Sequence, residues 1–506
     1  MKGWRNSPQT FLVIVGLLLG LALLPTVIGC TVSTQTPLSR VIEAVGDRLQ
    51  PLPLKTESEL QRFAEIYRKY AREPIQDRLD YFRFAFKRVR TKYVQEVADK
   101  KLIDAAIEGV EESKAKPKSM KAPALIEVAL DKMVTSLDPH SAFMNKAEFD
   151  ESFIHTRGEF GGLGIEVTMQ DGLVKVIAPI ENTPAEKAGL ASGDRISHVD
   201  GKPIKGLSLY EAVRRMRGLP GTSIQLMIQR VGKSDFEVTL VRAMIKVRAV
   251  RWRTVDRVGY IRVSRFSERV EGGVVQAFAG IRAELEGEPD GIVLDLRNNP
   301  GGLLDQSIAL ADAFLDSGEI VSVRGRDSGY HRAFGAQVGD LANGLPMVVL
   351  INGGSASASE IVASALKFHS RAMIMGRRSF GKGSVQTIIP MPEEGALRLT
   401  TALYYGPDGR TIQARGIIPE IRIETGKEPQ NRRREADLPR SLPAGKRGTE
   451  EKVSTVFSKA CPAIKGGRTY SSDGEAGDRA LGCAVAYLEA GSKHKFLAAH
   501  GQARNM

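Results

Sequence analysis

Met347-Val348-Val349-Leu350-Ile351 leads directly into Asn352-Gly353-Gly354-Ser355-Ala356-Ser357-Ala358-Ser359-Glu360 and on into Ile361-Val362-Ala363-Ser364-Ala365-Leu366. The first five residues are a continuous apolar run bounded by Pro346 and Gly353, the pattern of a strand buried on both faces. Two glycines then permit a sharp turn, including one of positive φ. Apolar residues return at helical spacing from Ile361, so the serines fall in or just before the first turn of a helix. There the unpaired N–H groups and the positive end of the helix dipole favour developing negative charge. The alanines between the serines leave room for a substrate backbone to approach.

Outward from this segment, strands are predicted over 259–263, 291–296, 347–351 and 372–375, with helices over 272–286, 305–315 and 359–368. That alternation is the signature of an α/β domain. A hydroxyl alone is a poor nucleophile and needs a base within hydrogen-bond reach. Lys382, in Ser379-Phe380-Gly381-Lys382-Gly383, leads into the strand-like Ser384-Val385-Gln386-Thr387-Ile388-Ile389, which points it inward. Burial lowers a lysine's pKa and lets the amine accept a proton. The competing reading gives the serines only capping and turn-forming roles.

A Ser-His-Asp arrangement is the other competitor, since the chain has seven histidines. His369 lies twelve residues beyond Ser357 on the same expected helix and points away from its start. His140, in Ser136-Leu137-Asp138-Pro139-His140-Ser141, reads as a packing and hydrogen-bonding residue of a turn. No paired-histidine helix motif and no cysteine pair at zinc spacing supports a metal, and no cofactor is expected.

A second signal spans 160–242. It opens with Gly161-Gly162-Leu163-Gly164-Ile165-Glu166-Val167 and continues through Ser192-Gly193-Asp194-Arg195-Ile196. A helix-like 209–217 follows, then Gly218-Leu219-Pro220-Gly221-Thr222 and the alternating Ile224-Gln225-Leu226-Met227-Ile228. The glycines lack the GxGxxG spacing of a dinucleotide site. The segment resembles a bacterial PDZ domain. That resemblance implies that Gly161, Gly162, Leu163, Gly164 and Ile165 offer backbone N–H groups to a terminal carboxylate while the peptide adds a strand beside 165–167. An apolar final side chain would enter a pocket lined partly by the 209–217 helix.

Together with Leu294-Asp295-Leu296-Arg297-Asn298-Asn299-Pro300-Gly301-Gly302, these motifs resemble the carboxyl-terminal processing proteases, PDZ-containing serine peptidases with a Ser/Lys dyad. The resemblance covers about 79–423. It implies Ser357 as nucleophile, Lys382 as general base, Gln386 as a residue orienting the lysine, and Ala358, Gly301 and Gly302 as backbone donors of the oxyanion hole. Ser355 and Ser359 are then turn and cap residues. Many relatives carry an acidic residue after the serine helix, where this chain has Leu366-Lys367-Phe368-His369, so a dyad is expected rather than a triad with aspartate.

The resemblance implies a multidomain α/β architecture: a helical N-terminal region (31–150, a dimerisation element in relatives), a PDZ domain (159–243) and a peptidase core (244–425) of crotonase-like fold. Residues 396–404 and Gly406-Pro407-Asp408-Gly409 match the family's closing hairpin. The implied partners are proteins or peptides with free, apolar C-termini, an adaptor or activating protein, and further copies of the chain. A PDZ scaffold with a silent peptidase core is the alternative, and the intact Ser357, Lys382 and Gln386 argue against it.

At 506 residues the chain should hold about three domains, and 42% hydrophobic with 26% charged residues is ordinary for a globular protein. The formal charge of +13 is spread widely, with no aromatic-studded basic stripe, so no nucleic-acid partner is expected. Lys2 and Arg5 precede an apolar run over 11–28, the form of an export signal (1–30). Its end, Val27-Ile28-Gly29-Cys30, resembles a lipobox, making Cys30 a lipidation candidate; retention as a membrane anchor is the competing reading. Either places the protein at a bacterial cell envelope, on the periplasmic side. With Cys30 lipidated, Cys461 and Cys483 remain as an even pair that could form a disulfide in an oxidising compartment.

In the N-terminal region Leu79, Phe82, Phe86, Val89 and Tyr93 recur at helical spacing, as do Leu102, Ala105, Ala106, Ile107 and Val110, and 125–134 continues the pattern. The stripe is read as core before interface. Residues 426–451, with Arg432-Arg433-Arg434, read as a flexible charged linker opening the 426–506 tail, and 478–490 as a last amphipathic helix.

Overall fold

The computed structural model describes residues 52–501 apart from 115, 158, 181, 247, 327–329, 425–432, 446–452 and 466–476. The export signal and Cys30 lie outside the described residues. The chain separates into two compact units, Met1–Ser58 and Glu59–Met506. Of the first, only 52–58 are described, and they begin the helix Leu54–Tyr70.

Helices Gln76–Lys92, Asp99–Glu112 and Ala122–Thr135 follow, and the aromatic stripe is core: Phe82, Phe86, Val89 and Tyr93 are each at most 2% exposed. Helices Asp99–Glu112 and Ala122–Thr135 pack so closely at Gly109 that a Cβ there would stand 2.6 Å from the Lys132 Cβ. Strand Ala142–Met144 then leaves the bundle and pairs with Ala396–Tyr405.

In the PDZ segment, strands Ile165–Gln170, Leu173–Pro179, Arg195–Val199, Ser223–Gln229 and Phe236–Val241 form one antiparallel sheet around a core that includes Val174, Ile196, Leu226 and Ile228. Strand Ile165–Gln170 lies at the sheet's edge. Helix Leu209–Met216 is started by a capping box in which Ser208 and Glu211 exchange bonds.

The peptidase region is built on a seven-stranded sheet in the order Val250–Val255, Val258–Val263, Gly291–Asp295, Met347–Ile351, Met373–Gly376, Ile421–Glu424, Ser454–Phe457. The first pair is antiparallel and every later pairing is parallel. The central strands Gly291–Asp295 and Met347–Ile351 are buried at every position, as their continuous apolar sequence requires. One face packs on helices Val270–Glu284, Leu304–Asp312 and Ala358–Phe368. A second, antiparallel sheet joins Ala396–Tyr405 to Ala142–Met144, Glu319–Gly325 and Ser384–Pro390, with His331–Gly335 outside Glu319–Gly325.

The other face of the parallel sheet is covered by the C-terminal tail, where Leu481, Cys483, Val485 and Phe496 pack on Val293, Val348, Leu350 and Met375. Without that cover a fully apolar sheet face would meet water, at a cost of about 25 cal/mol per Å². Cys461 and Cys483 are joined by a disulfide with their Cα atoms 5.0 Å apart. The described part of the charged segment, 433–445, is no free linker: Glu435 is fully buried and Leu442 is 6% exposed. Its charges suggested solvation, but they find tertiary partners described below.

Candidate active site

Three loops meet at the carboxyl ends of adjacent parallel strands, where open α/β sheets place their sites. They follow Gly291–Asp295, Met347–Ile351 and Met373–Gly376 and carry 296–302, 352–357 and 377–383.

The turn after Met347–Ile351 ends at Ser357 with φ 55° and ψ −114°. A positive φ costs a non-glycine residue about 1–3 kcal/mol, and such strain persists only where surrounding bonds fix it. Here they do: Asn352 N–H donates to Ser355 Oγ (2.9 Å), Ser355 Oγ donates to the Leu296 carbonyl (2.8 Å), and Ser359 Oγ donates to the Asn299 carbonyl (2.9 Å). Ser355 and Ser359 are thus buried turn and helix fasteners, and Ser357 is the serine presented at the N-terminus of Ala358–Phe368.

Glu360 organises the site. It is fully buried, and its Oε2 accepts the N–H of Ser357 (2.7 Å) and of Lys382 (2.9 Å), while Oε1 accepts Ser379 Oγ (2.5 Å) and Gly381 N–H (2.7 Å). One carboxylate therefore ties the backbone of the candidate nucleophile to that of the candidate base. Burial pushes the Glu360 carboxyl up to about 7, against the opposing pull of these four donors.

Lys382 sits between Gly381 and Gly383, where a Cβ at Gly383 would stand 2.2 Å from Gln413 N. Burial holds the ammonium below its ordinary pKa and nearby Arg398 adds to this, while Glu435, Asp138 and Glu360 pull the other way. Gln386, on Ser384–Pro390, donates through Nε2 to Ser384 Oγ (2.9 Å) and Thr400 Oγ1 (3.3 Å). Thr400 Oγ1 in turn donates to Asp138 Oδ1 (3.1 Å), and Asp138 also accepts from the His140 and Ser141 amides and from Ser141 Oγ. The half-buried glutamine is thus linked through Thr400 to the buried Asp138 cluster.

In the loop 296–302, Gly301 faces the nucleophile: a Cβ there would stand 2.8 Å from Ser357 Cβ and 3.1 Å from Ala358 N. Its N–H, however, donates to Asn299 Oδ1 at 2.9 Å, so Gly301 does not supply a free oxyanion donor in this arrangement. Asn299 is fully buried and uses that bond, with Nδ2 to the Val263 carbonyl, to close the turn. The bridge to Phe266 uses the Gly301 carbonyl and the Leu303 N–H, leaving the Gly302 amide outside it. Gly302 and Ala358 remain as the candidate donors. At φ 145° a Cβ on Gly302 would lie 2.0 Å from the Phe266 carbonyl oxygen, so only glycine fits.

The base of this loop is a charge cluster. Asp295, fully buried, accepts from Tyr260, Arg262 and Arg297. Burial raises its carboxyl, but Arg297 and Arg262 outweigh this and hold it below the usual range. Arg297 also grips Asp478, the N-cap of the tail helix Arg479–Ala490, at 3.0 and 2.6 Å.

Neither candidate histidine joins the site as a catalyst. His369 bonds the Glu319 carbonyl through Nε2 (2.8 Å) at the far end of the helix, and His140 pairs with Glu435 (2.8 Å). Among the described residues no group of three or more His, Cys, Asp or Glu could hold a metal ion. Sequence reading passed over Glu360, although Ser357-Ala358-Ser359-Glu360 has the S-x-x-E spacing of a capping box. In the structure Glu360 N–H goes to the Ser357 carbonyl, not to its hydroxyl.

The fold and site define a PDZ-bearing serine peptidase. Residues 257–423 match the model of peptidase family S41, and 161–240 match that of the PDZ domain. A carboxy-terminal-processing protease of Bartonella bacilliformis is 50% identical over 67% of this chain and 73% of its own length. The carboxy-terminal processing protease CtpA of Bacillus subtilis is 32% identical over 76% of each chain. The chain belongs to the carboxy-terminal-processing protease family. A solved photosystem II D1 C-terminal processing protease is similar at 29% identity and TM-score 0.44, covering 69% of this chain and 93% of that one.

Proposed function

We propose that this peptidase captures the free C-terminus of a loosely folded protein in its PDZ domain and cuts the chain with a Ser357/Lys382 dyad. The observation that carries the reading is the single Glu360 oxygen that accepts the N–H of both Ser357 and Lys382. Lys382, its ammonium disfavoured by burial, takes the Ser357 proton as Oγ attacks the scissile carbonyl, and returns it to the leaving amine. The Ala358 and Gly302 amides hold the oxyanion, an interaction worth a few kcal/mol. Gln386, four residues along the chain from Lys382, orients the lysine with the support of its bonds through Thr400 to Asp138.

The unpaired edge of Ile165–Gln170 supports strand addition by a peptide, with the turn 163–164 at its carboxylate end; Gly161 and Gly162, expected in that loop, instead end strand Glu159–Gly162, which pairs with Ala243–Lys246. Half-buried Val167, Leu209 and Val213 supply an apolar lining for its side chains. An envelope location, with the chain attached through Cys30 or an N-terminal anchor, is part of the proposal; the Cys461–Cys483 disulfide supports an oxidising compartment. The test uses one substrate made with an acid and with an amidated apolar C-terminus. The amide should raise KM about tenfold, since the loop loses its charged partner. Equal KM values would remove carboxylate capture.

A further inference from the structure

A strap beyond the matched peptidase region reaches the lysine loop. The strap, 433–445, begins with the short turn Glu435–Asp437. Glu435 is 0% exposed, a costly position for a carboxylate unless every lone pair is used. Its Oε1 accepts Gln413 Nε2 (2.8 Å) and Ser441 Oγ (3.3 Å), its Oε2 pairs with His140 Nε2 (2.8 Å), and its own N–H donates to the Phe380 carbonyl (3.2 Å).

A carboxylate only accepts, so Glu435, with the Leu442 carbonyl (3.3 Å) beside it on the strap, fixes which way the Gln413 amide faces. Gln413, itself fully buried, must turn Nε2 toward Glu435, and its Oε1 is thereby aimed at Gly383 N–H (2.9 Å). The two residues flanking Gly381 and Lys382, Phe380 and Gly383, are both held from the strap side. From the opposite side Glu360 holds the Gly381 and Lys382 amides. The loop carrying the base is gripped between two buried carboxylates, one on the nucleophile helix and one on the strap.

We propose that Glu435 is a positioning residue for the general base: directly and through Gln413 it sets the backbone on both sides of Lys382, so the strap completes the active site. This rests on the Lys382 assignment above. His140 couples the strap to the turn that holds Asp138, so the N-terminal region, the core and the strap converge beneath one lysine. The charged groups facing Lys382 are Arg398, Glu435, Asp138 and Glu360. Burial works against ionisation of Glu435, but the bonds from His140 and Gln413 and the charge of Lys382 keep its carboxyl below the ordinary range, so it is an anion in the working pH range.

The test is steady-state cleavage of a loosely folded protein substrate by the full chain, its Glu435→Ala and Glu435→Gln variants, and Lys382→Ala. Glu435→Ala removes the shortest bond of the Gln413 amide, leaving Nε2 only the longer ones to the Leu442 carbonyl (3.3 Å) and Ser441 Oγ (3.5 Å), and should lower kcat about 10-fold with KM within about twofold, the signature of a misplaced catalytic group. Glu435→Gln can still accept from Gln413 but lacks the charge, so it should keep more of kcat. Its acidic limb of kcat/KM should move to lower pH, because a lysine relieved of an anionic neighbour deprotonates more readily. A strap that merely packs would not move that limb. If Glu435→Ala fails to fold, the Glu435→Gln limb decides alone. Parental kcat in both variants, or an unmoved limb in Glu435→Gln, would overturn the proposal. Retained activity in Lys382→Ala would instead sink the dyad on which it rests.

Discussion

Asp478 lies 181 residues from Arg297 in sequence, yet its carboxylate binds both terminal nitrogens of that guanidinium, at 3.0 and 2.6 Å. The same carboxylate caps Arg479–Ala490 by accepting Leu481 N–H at 3.0 Å. Asp478→Ala removes both functions. Loss of the cap costs about 1 kcal/mol, and the charge-assisted bonds to a guanidinium that is 11% exposed cost about 1.5–3 kcal/mol more. The total is about 2.5–4 kcal/mol. Asp478→Asn keeps the cap and one acceptor, so it should cost about 1–2 kcal/mol. Because Arg297 also braces Asp295 beneath the 298–302 loop, kcat should fall with stability, about 10-fold for Asn and up to 100-fold for Ala. Thermal unfolding and steady-state cleavage by the full chain read both effects. Two variants that match the parent in midpoint and kcat would refute the claim that the tail clamps the 298–302 loop.

Three further outcomes are expected. Gly301→Ala, at φ 99° and with its new Cβ 2.8 Å from Ser357 Cβ, should abolish cleavage while leaving peptide binding to the PDZ domain unchanged, as measured by titration with a labelled C-terminal peptide. Breaking the buried cluster by Asp295→Asn should cost about 3–5 kcal/mol. Because the folded carboxyl lies below its unfolded value, that stabilisation is complete above about pH 4 and is lost as pH falls through the depressed folded value, so the gap between parent and variant in unfolding midpoint should be flat from pH 5 to 8 and close only in stronger acid. Cys461→Ser should lower stability by about 2–4 kcal/mol through the 22-residue separation it opens.

How much of this was legible in the sequence follows from which forces act locally. Met347–Ile351 and Gly291–Asp295 announce themselves because a strand buried on both faces must be apolar at every position. The helix Ala358–Phe368 and the presentation of Ser357 at its start follow from the glycine turn and the return of helical spacing. Glu360 was visible as spacing, but its reach to Ser379, Gly381 and Lys382 depends on a loop about twenty residues away and leaves no periodic trace. Glu435 was hidden for the opposite reason: it sits in a charged run whose composition signals solvation, and only its partners Gln413, Ser441 and His140 make burial tolerable. The Gly301 amide shows a third limit. The resemblance gave it a role, while the side chain of Asn299, two residues earlier, already occupies its N–H. The tail strand Ser454–Phe457 is four residues long, too short for any pattern to separate it from a loop, and is fixed by pairing with Ile421–Glu424, by the Val456–Gly501 bridge and by burial of Val456.

The central claim is that Ser357 and Lys382 act as one unit. The most direct measurement is cleavage of a loosely folded protein with an apolar C-terminal tail by the full chain and by Ser357→Ala, Lys382→Ala and the double variant. The account predicts that each single change removes activity to about the level of the double, because a nucleophile without its base gains nothing from the partner that remains. Cleavage by Lys382→Ala within about tenfold of the parent, or losses that multiply in the double variant, would contradict it.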